Sequence, residues 1–260
     1  MLAAAIVPGV VIGLALGLLG GGGSVLAVPI FVYVLGFSPK EAIAMSLAVV
    51  GATSAFGTVR HWRVGHVNAR IAIVFGGVAM LGTLFGVRLA RFIPGTTQML
   101  IFGAVMLAAA VFMLRGRPRC DEESGADRAS PVMSAVKVIP GGLLVGSLTG
   151  IVGVGGGFLI VPALVLMRMS LREAVGTSLL VITGTCVVGF LGYLGHVRLD
   201  LVAVALVAAG TLPGIAMGSY LHELVPQSVL RRGFAVFLVL IAAFIFIETM
   251  GPLTAVSPGR

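Results

Sequence analysis

The stretch GLLGGGGSVLAVP, residues 17–29, places four consecutive glycines, Gly20 to Gly23, inside otherwise apolar sequence. Glycine weakens a helix by about 1 kcal/mol relative to alanine at each position, because it has no Cβ and loses more backbone freedom on folding. Four glycines together should therefore end a helix. A second copy, GIVGVGGGFLIVP at residues 150–162, aligns with the first without a gap and ends in the same proline.

The composition around these two stretches is that of a membrane protein. The 260 residues are 58% hydrophobic and 10% charged, and the mean hydropathy is +1.15, whereas soluble domains are about 25% charged. The apolar runs are continuous rather than alternating, which predicts an all-α polytopic protein and disfavours a membrane β-barrel. The net charge of +8 comes from basic residues between apolar segments, so we expect a lipid bilayer as the partner and no nucleic acid. The N-terminus lacks a basic n-region, so we expect a membrane segment there rather than a cleaved signal.

The chain divides into two membrane repeats joined by a polar linker. Residues 1–114 form the first repeat, residues 115–134 the hydrophilic linker and residues 135–260 the second repeat. The ten apolar elements cover roughly 3–19, 24–36, 41–59, 70–92 and 96–114 in the first repeat, and 137–153, 157–168, 172–194, 199–223 and 227–250 in the second.

Three further matches in the same order support an internal duplication of about 130 residues. They are EAIAMSLAVV at 41–50 with EAVGTSLLVI at 173–182, GHV at 65–67 with GHV at 195–197, and LGTLFG at 81–86 with AGTLPG at 209–214. The glycines around Thr83 and Thr211 in the last pair are expected to serve helix packing.

The relative direction of the repeats depends on the short elements that flank the glycines. A hairpin or two complete spans would make the repeats inverted, whereas one broken spanning helix would make them parallel. An inverted arrangement collects 12 of the 17 Lys and Arg residues on one side, and a parallel arrangement collects 10. The positive-inside rule therefore favours inverted repeats in the cell (inner) membrane, with both termini outside and the linker cytoplasmic.

Matched glycine-interrupted segments in inverted repeats are typical of the binding site of a secondary transporter. After each break, a new helix should begin at about Ser24 or Phe158, and its free N–H groups could bind a small anion near the midplane. Mid-helix hydroxyls could add donors without the cost of a buried charge. The alternatives are packing through small residues and hydroxyls that bond to carbonyls of their own helix. The predicted substrate-binding residues are Gly21, Gly22, Gly23, Ser24, Ser46, Gly155, Gly156, Gly157, Thr177 and Ser178.

The acidic residues do not form a catalytic or metal-binding pattern. Ser38 with Glu41 and Ser170 with Glu173 have the spacing of capping boxes, which we favour over proton carriers. We expect Cys186 to be a buried packing thiol. The sequence predicts no metal, no cofactor and no enzyme activity, since an integral-membrane enzyme would need clustered His, Cys, Asp or Glu residues. Coupling to a proton, to a sodium ion or to anion exchange stays open, as does the oligomeric state.

The paired Gly-rich stretches followed by proline, with EAVGTSL downstream, resemble the TauE/SafE family of sulfite and organosulfonate exporters. The resemblance extends from about residue 5 to residue 250 and is closer in the second copy. It implies a transporter of small sulfur-containing anions such as sulfite or organosulfonates, in either direction. A passive anion channel and a carrier of a non-sulfur carboxylate are the alternative functions.

Overall fold

The computed structural model describes residues 2–115, 131–153, 156–166, 169, 171–197, 199–224 and 227–254. All regular structure in these ranges is helical, so the predicted all-α fold class is confirmed. The predicted linker lies mostly outside the described residues, and the first helix after it already begins at Pro131. The helices of the first repeat are α1 (Leu2–Leu19), α2 (Ala27–Pro29), α3 (Pro39–Arg63), α4 (Ala69–Ala90) and α5 (Gly95–Arg115). Those of the second are α6 (Pro131–Val152), α7 (Gly157–Leu166), α8 (Leu171–Tyr193), α9 (Leu201–Leu224) and α10 (Gln227–Thr254).

Several of these helices suit a bilayer. Within the described residues, four segments are long and apolar enough to cross a membrane: Pro39–Arg63, Ala69–Ala90, Glu173–Tyr193 and Leu201–Gly218. Shorter apolar helical segments occur in α1, around α2, and in α5, α6 and α10. Large apolar side chains such as Ile73, Val202 and Ile247 are exposed on the outer helices, as a lipid-facing surface requires.

The glycine runs end both α1 and α6, as predicted, but the two copies continue differently. After Leu19 the chain enters a 3-10 helix, Gly20–Leu26, and the next α-helix begins at Ala27. The helical segment after the break thus includes the predicted start at about Ser24, but it begins as a 3-10 helix and becomes α-helical only three residues later. In the second copy α7 begins at Gly157, one residue before the predicted Phe158.

The chain folds back on itself at both runs. The backbone of Gly23 lies against Ala15 and Leu16, and Gly156 lies against Thr149. Residues seven apart in one continuous α-helix would be about 10.5 Å apart along its axis. These contacts therefore exclude a single straight helix through either glycine run.

The first helix of each repeat packs against the fourth helix of the other repeat. In the pair α1–α9, Gly9 and Gly13 lie against Val207 and Thr211, and in the pair α4–α6, Gly146 and Gly150 lie against Ala79 and Thr83. Residue numbers rise together in both pairs, so each pair runs parallel. Backbones approach this closely only where side chains are absent, which confirms the packing role predicted for the glycines around Thr83 and Thr211.

Helices α3 and α8, the third element of each repeat, cross antiparallel in the core. A Cβ at Gly51 would lie 3.0 Å from Cys186 Cβ, one at Gly57 would lie 3.2 Å from Leu179, and one at Gly189 would lie 3.0 Å from Leu47. Numbers rise in α3 as they fall in α8. Cys186 is fully buried at this crossing, as expected for a packing thiol.

Candidate functional site

The broken end of α6 is capped by hydroxyl groups from both repeats. An α-helix leaves its last four carbonyls without partners inside the helix, and a membrane interior offers no bulk water to replace them. Ser46 of α3 donates a hydrogen bond to the Gly153 carbonyl at 2.7 Å. Tyr193 of α8 donates one to the Gly150 carbonyl at 3.0 Å. The break in the second repeat is thus stabilised by a residue of the first.

Glycine is required where this helix ends. Gly153 has φ +76° and Gly156 has φ +67°, a left-handed conformation that other residues rarely adopt. A Cβ at Gly153 would also lie 2.9 Å from Ile43 Cα. The end of α6 therefore packs directly on the backbone of α3.

The first glycine run lies against the second repeat in the corresponding way. Residues 20–26 contact α7 and α8, and Gly23 and Ser24 are buried. Nearby in α8, the Thr177 hydroxyl accepts a hydrogen bond from the Asn68 backbone N–H at 3.0 Å, which ties α8 to the start of α4. Sequence reasoning missed Asn68, although an Asn directly before a helix is a common N-cap.

The structure does not bring the predicted hydroxyls together at one midplane site. Ser178 adjoins Leu179, which lies opposite Gly57, and Gly57 is eleven residues beyond Ser46 in α3. Ser46 and Ser178 are therefore about 17 Å apart along the helix axes at 1.5 Å per residue. The antiparallel crossing explains this separation. Ser46 and Ser178 both precede the crossing point in their own helices, and helices that run in opposite directions place such residues towards opposite ends of the bundle.

The other predicted residues follow the same division into two groups. Gly21, Gly22, Gly23 and Ser24 lie in the 3-10 helix of the first repeat, and Thr177 and Ser178 lie in the α8 helix that it contacts. Gly156 and Gly157 lie at the start of α7, and Gly155 is outside the described residues. Substrate binding by these residues stays a prediction.

The hydroxyls of Ser46 and Ser178 also bond within their own helices. Ser46 Oγ shares its one proton between the Gly153 carbonyl at 2.7 Å and the Ile43 carbonyl at 2.8 Å, and Ser178 Oγ donates to the Val175 carbonyl at 2.8 Å. The alternative of a carbonyl partner in the same helix is thus realised for both residues. In this conformation their hydroxyl protons are directed to protein carbonyls.

A second set of buried hydroxyls, which sequence reasoning missed, lies near the crossing of α3 and α8. We call Thr53, Ser54, Thr185 and Thr211 the central hydroxyl layer; all four are buried. Thr53 donates to the Val49 carbonyl at 2.7 Å and lies 2.8 Å from the Thr211 hydroxyl. A signal was present in the sequence, since the segment that ends in Thr53 and Ser54 aligns with the segment that ends in Thr185 and Cys186.

Ser54 differs from the rest of the central hydroxyl layer. Among the buried side-chain atoms that the structure describes, only Ser54 Oγ and Gln98 Oε1 have no hydrogen-bond partner. Buried threonines of α3, α4 and α8, including Thr58, Thr83 and Thr185, bond to carbonyls four residues earlier. Such a bond is open to any helical serine, so the unpartnered state of Ser54 is distinctive.

A cleft opens between α1, α3, α8 and α9 at the end of the bundle where α3 finishes. Its deeper walls include Gly57, Leu179 and Ile215, and Arg60 and His61 lie at the end of α3. The full lining is Leu16, Gly17, Phe56, Gly57, Arg60, His61, Val175, Leu179 and Ile215.

The helix crossing at the opposite end has the same kind of leucine-on-glycine contact. Leu179 aligns with Leu47, and Leu47 packs within 3.0 Å of a Cβ placed at Gly189. Counted from these aligned leucines, Tyr193 takes the place of His61, and its hydroxyl bonds to Gly150. The two ends therefore carry different residues: His61 lines the cleft at one end, and the buried Tyr193 bonds to the end of α6 at the other.

The acidic residues behave as caps and surface groups. The Glu41 carboxylate accepts hydrogen bonds from the Ser38 N–H at 3.2 Å and from the Ser38 hydroxyl at 2.7 Å, which confirms the first capping box. Ser170, the partner of the second box, lies outside the described residues. Glu173 and Glu248 are exposed, and the described part of the chain contains no group of three His, Cys, Asp or Glu residues suited to a metal ion.

An all-α fold with several apolar helices and a pair of glycine-broken helices defines the class of integral membrane transporters. The chain belongs to the sulfite exporter TauE/SafE family, whose model matches residues 5–245. It is 34% identical over 254 residues to a protein of Xylella fastidiosa named "Probable membrane transporter protein", covering 95% of each chain. It is 29% identical over 234 residues to the "Probable membrane transporter protein YdhB" of Bacillus subtilis, covering 87% of this chain and 92% of the relative. No solved structure matches the chain. It is a membrane transporter of this family.

Proposed function

We propose that this protein is a secondary carrier of small sulfur-containing anions, such as sulfite or an organosulfonate, that works by alternating access. The observation that carries the proposal is the exchanged packing of the helix breaks, in which each glycine run lies against the central helix of the other repeat. A relative movement of the repeats would then change the surroundings of both breaks at once. The family description supplies the sulfur chemistry.

Inverted repeats are part of this proposal. The antiparallel crossing of α3 and α8, which are equivalent helices, supports an inverted relation. The fold-back of the chain at both glycine runs also supports it, because a hairpin gives each repeat an odd number of crossings. The excess of Lys and Arg on one side under this topology favours a cytoplasmic linker and external termini.

The asymmetry of the two ends supports one defined state of the cycle. The cleft lies at the end of α3, near Arg60 and Arg63, which the charge distribution assigns to the cytoplasm. In our proposal the opposite end is held closed by the bond between Tyr193 and Gly150. The state faces the cytoplasm, where the cleft of about 30 Å³ widens to admit the anion, and transport then requires the cleft to close and the Tyr193 contact to open.

Binding and transport by the purified full-length protein would test the proposal. Thermal unfolding in detergent would be measured with sulfite, sulfate, thiosulfate, taurine, sulfoacetate, acetate and chloride. A ligand of the folded state at 100 times its dissociation constant stabilises by about 2.7 kcal/mol. We expect a selective shift with one sulfur anion, and saturable uptake of that anion into proteoliposomes.

Other outcomes would identify the alternatives. A selective shift with acetate alone would indicate a carboxylate carrier. Anion currents far above carrier turnover in planar bilayers would indicate a channel. Uptake in the presence and absence of a proton or sodium gradient would separate the coupling modes. No shift and no uptake of any anion in the panel would overturn the proposal.

A further inference from the structure

Ser54 has a buried hydroxyl group that makes no hydrogen bond in the structure. Its side chain is fully buried, and its Oγ makes no hydrogen bond. A buried hydroxyl without a partner is destabilising, and a serine in a helix can normally avoid this by bonding to a carbonyl one turn earlier. Ser46, in the same helix, makes such a bond.

The position of Ser54 links it to the cleft. Ser54 lies one helical turn before Gly57, which lines the cleft, and one turn after Gly51, which packs on Cys186 at the crossing of α3 and α8. Residues three apart share a helix face, so Ser54 continues the wall formed by Gly57 towards the centre of the bundle. Along the axis of α3, Ser54 also lies between Ser46 and the position opposite Ser178.

We propose that Ser54 Oγ donates a hydrogen bond to the transported anion as it passes the centre of the bundle. This inference rests on the carrier function proposed above and adds a substrate-contacting residue to it. The ligand chemistry is a small oxyanion, because a neutral hydroxyl can donate to a charged oxygen without a second buried charge. The partner that Ser54 lacks in the folded protein is then the substrate.

The repeat sequence supplies a natural comparison for this residue. Cys186 occupies the aligned position in the second repeat, and it is also fully buried. A thiol is a weaker donor than a hydroxyl, and its sulfur is larger than the hydroxyl oxygen. The two repeats therefore contribute unequal donors, and the Ser54→Cys variant weakens the donor, whereas Ser54→Ala removes it.

The test measures the dependence of proteoliposome uptake on anion concentration, with radiolabelled sulfite and taurine as the probes. Wild-type protein would be compared with Ser54→Ala, Ser54→Cys and the control Thr83→Val, which removes a buried hydroxyl that bonds to its own helix. We expect Ser54→Ala to raise the half-saturation concentration about tenfold or more, the usual loss for one hydrogen bond to a charged group. Ser54→Cys should be intermediate, and Thr83→Val should match wild type.

Thermal unfolding of the same variants separates a binding role from a structural one. Ser54→Ala should unfold at the wild-type temperature or above it, since it removes an unpartnered polar group. Wild-type half-saturation in Ser54→Ala, or a loss of uptake that parallels a loss of thermal stability, would overturn the inference while leaving the carrier function intact. If wild-type protein transports neither probe and shifts with no anion, the proposed function fails and this inference fails with it.

Discussion

Replacing Tyr193 by Phe should raise the population in which the end of the bundle opposite the cleft is open. The substitution keeps the aromatic ring and its packing and removes only the hydroxyl that donates to the Gly150 carbonyl at 3.0 Å. Gly150 lies in the last turn of α6, where a carbonyl has no partner inside the helix. The variant therefore leaves a buried acceptor without a donor in the closed state.

The size of the effect follows from the energetics of hydrogen bonds between membrane helices. Such bonds contribute about 0.6 kcal/mol on average and up to about 1.7 kcal/mol, which corresponds to a factor of about 3 to about 18 in an equilibrium constant. Because the orphaned Gly150 carbonyl is buried, we expect the upper part of this range. The population in which this end is open should rise by that factor.

Thiol labelling at two aligned positions can measure this change. In a background of Cys120→Ser and Cys186→Ala, Leu47→Cys reports the closed end and Leu179→Cys reports the cleft. Both variants make the same chemical change at equivalent positions of α3 and α8. We expect Tyr193→Phe to speed the reaction of Leu47→Cys with a membrane-impermeant thiol reagent by about 3-fold to about 18-fold.

Comparing the labelling rates at the two positions shows which results would refute the reasoning. Labelling of Leu179→Cys should stay constant or fall, because a shift towards the other state would close the cleft. An unchanged rate at Leu47→Cys would show that the Tyr193 hydroxyl does not hold this end closed. Equal acceleration at both positions would indicate a general loosening of the bundle instead.

Three further variants test the packing and the caps. Gly146→Ala should lower the free energy of unfolding by about 1–3 kcal/mol, because the added Cβ would meet the backbone of α4. The control Gly77→Ala should be neutral or stabilising, because its Cβ meets nothing within 4 Å. Equal unfolding temperatures for the two variants would contradict this. Ser46→Ala should lower the free energy of unfolding by about 1–3 kcal/mol, because it removes a hydrogen-bond donor from the end of α6. In the same thermal unfolding assay Ser178→Ala should lower it less, because the described bond of Ser178 stays within α8. Glu41→Gln should lower stability slightly and leave uptake intact, because its carboxylate caps α3; abolished uptake would instead revive the proton-carrier role.

The fold class and the helix ends at the glycine runs could be predicted from the sequence because each depends on local information. Hydropathy reports which segments can enter lipid, and the glycine runs end both α1 and α6. The capping box at Ser38 and Glu41 is a pattern of near neighbours, and it forms as expected. In each case the relevant atoms lie within a few residues of one another in the chain.

The arrangement of the site could not be predicted in the same way. The sequence shows that Ser46 and Ser178 are equivalent, and equivalence suggested one shared site. Their separation depends on how α3 and α8 cross, which is set by long-range contacts such as those of Gly51 and Gly57. Sequence periodicity carries no information on that crossing. It therefore could not show that the two hydroxyls lie near different helix breaks.

Departures from internal symmetry account for the asymmetry of the ends. A perfectly repeated sequence would give the two ends equal energies, and neither closed state would be preferred. Tyr193 stands where the first repeat has His61, and it supplies a hydroxyl to the end of α6. The equivalent end of α1 instead passes into a 3-10 helix without the left-handed glycines found at Gly153 and Gly156. In a carrier, such differences between repeats set the resting equilibrium between its two states. In the proposed carrier, the residues that differ between the copies would set which end opens preferentially, while those that match maintain the common scaffold.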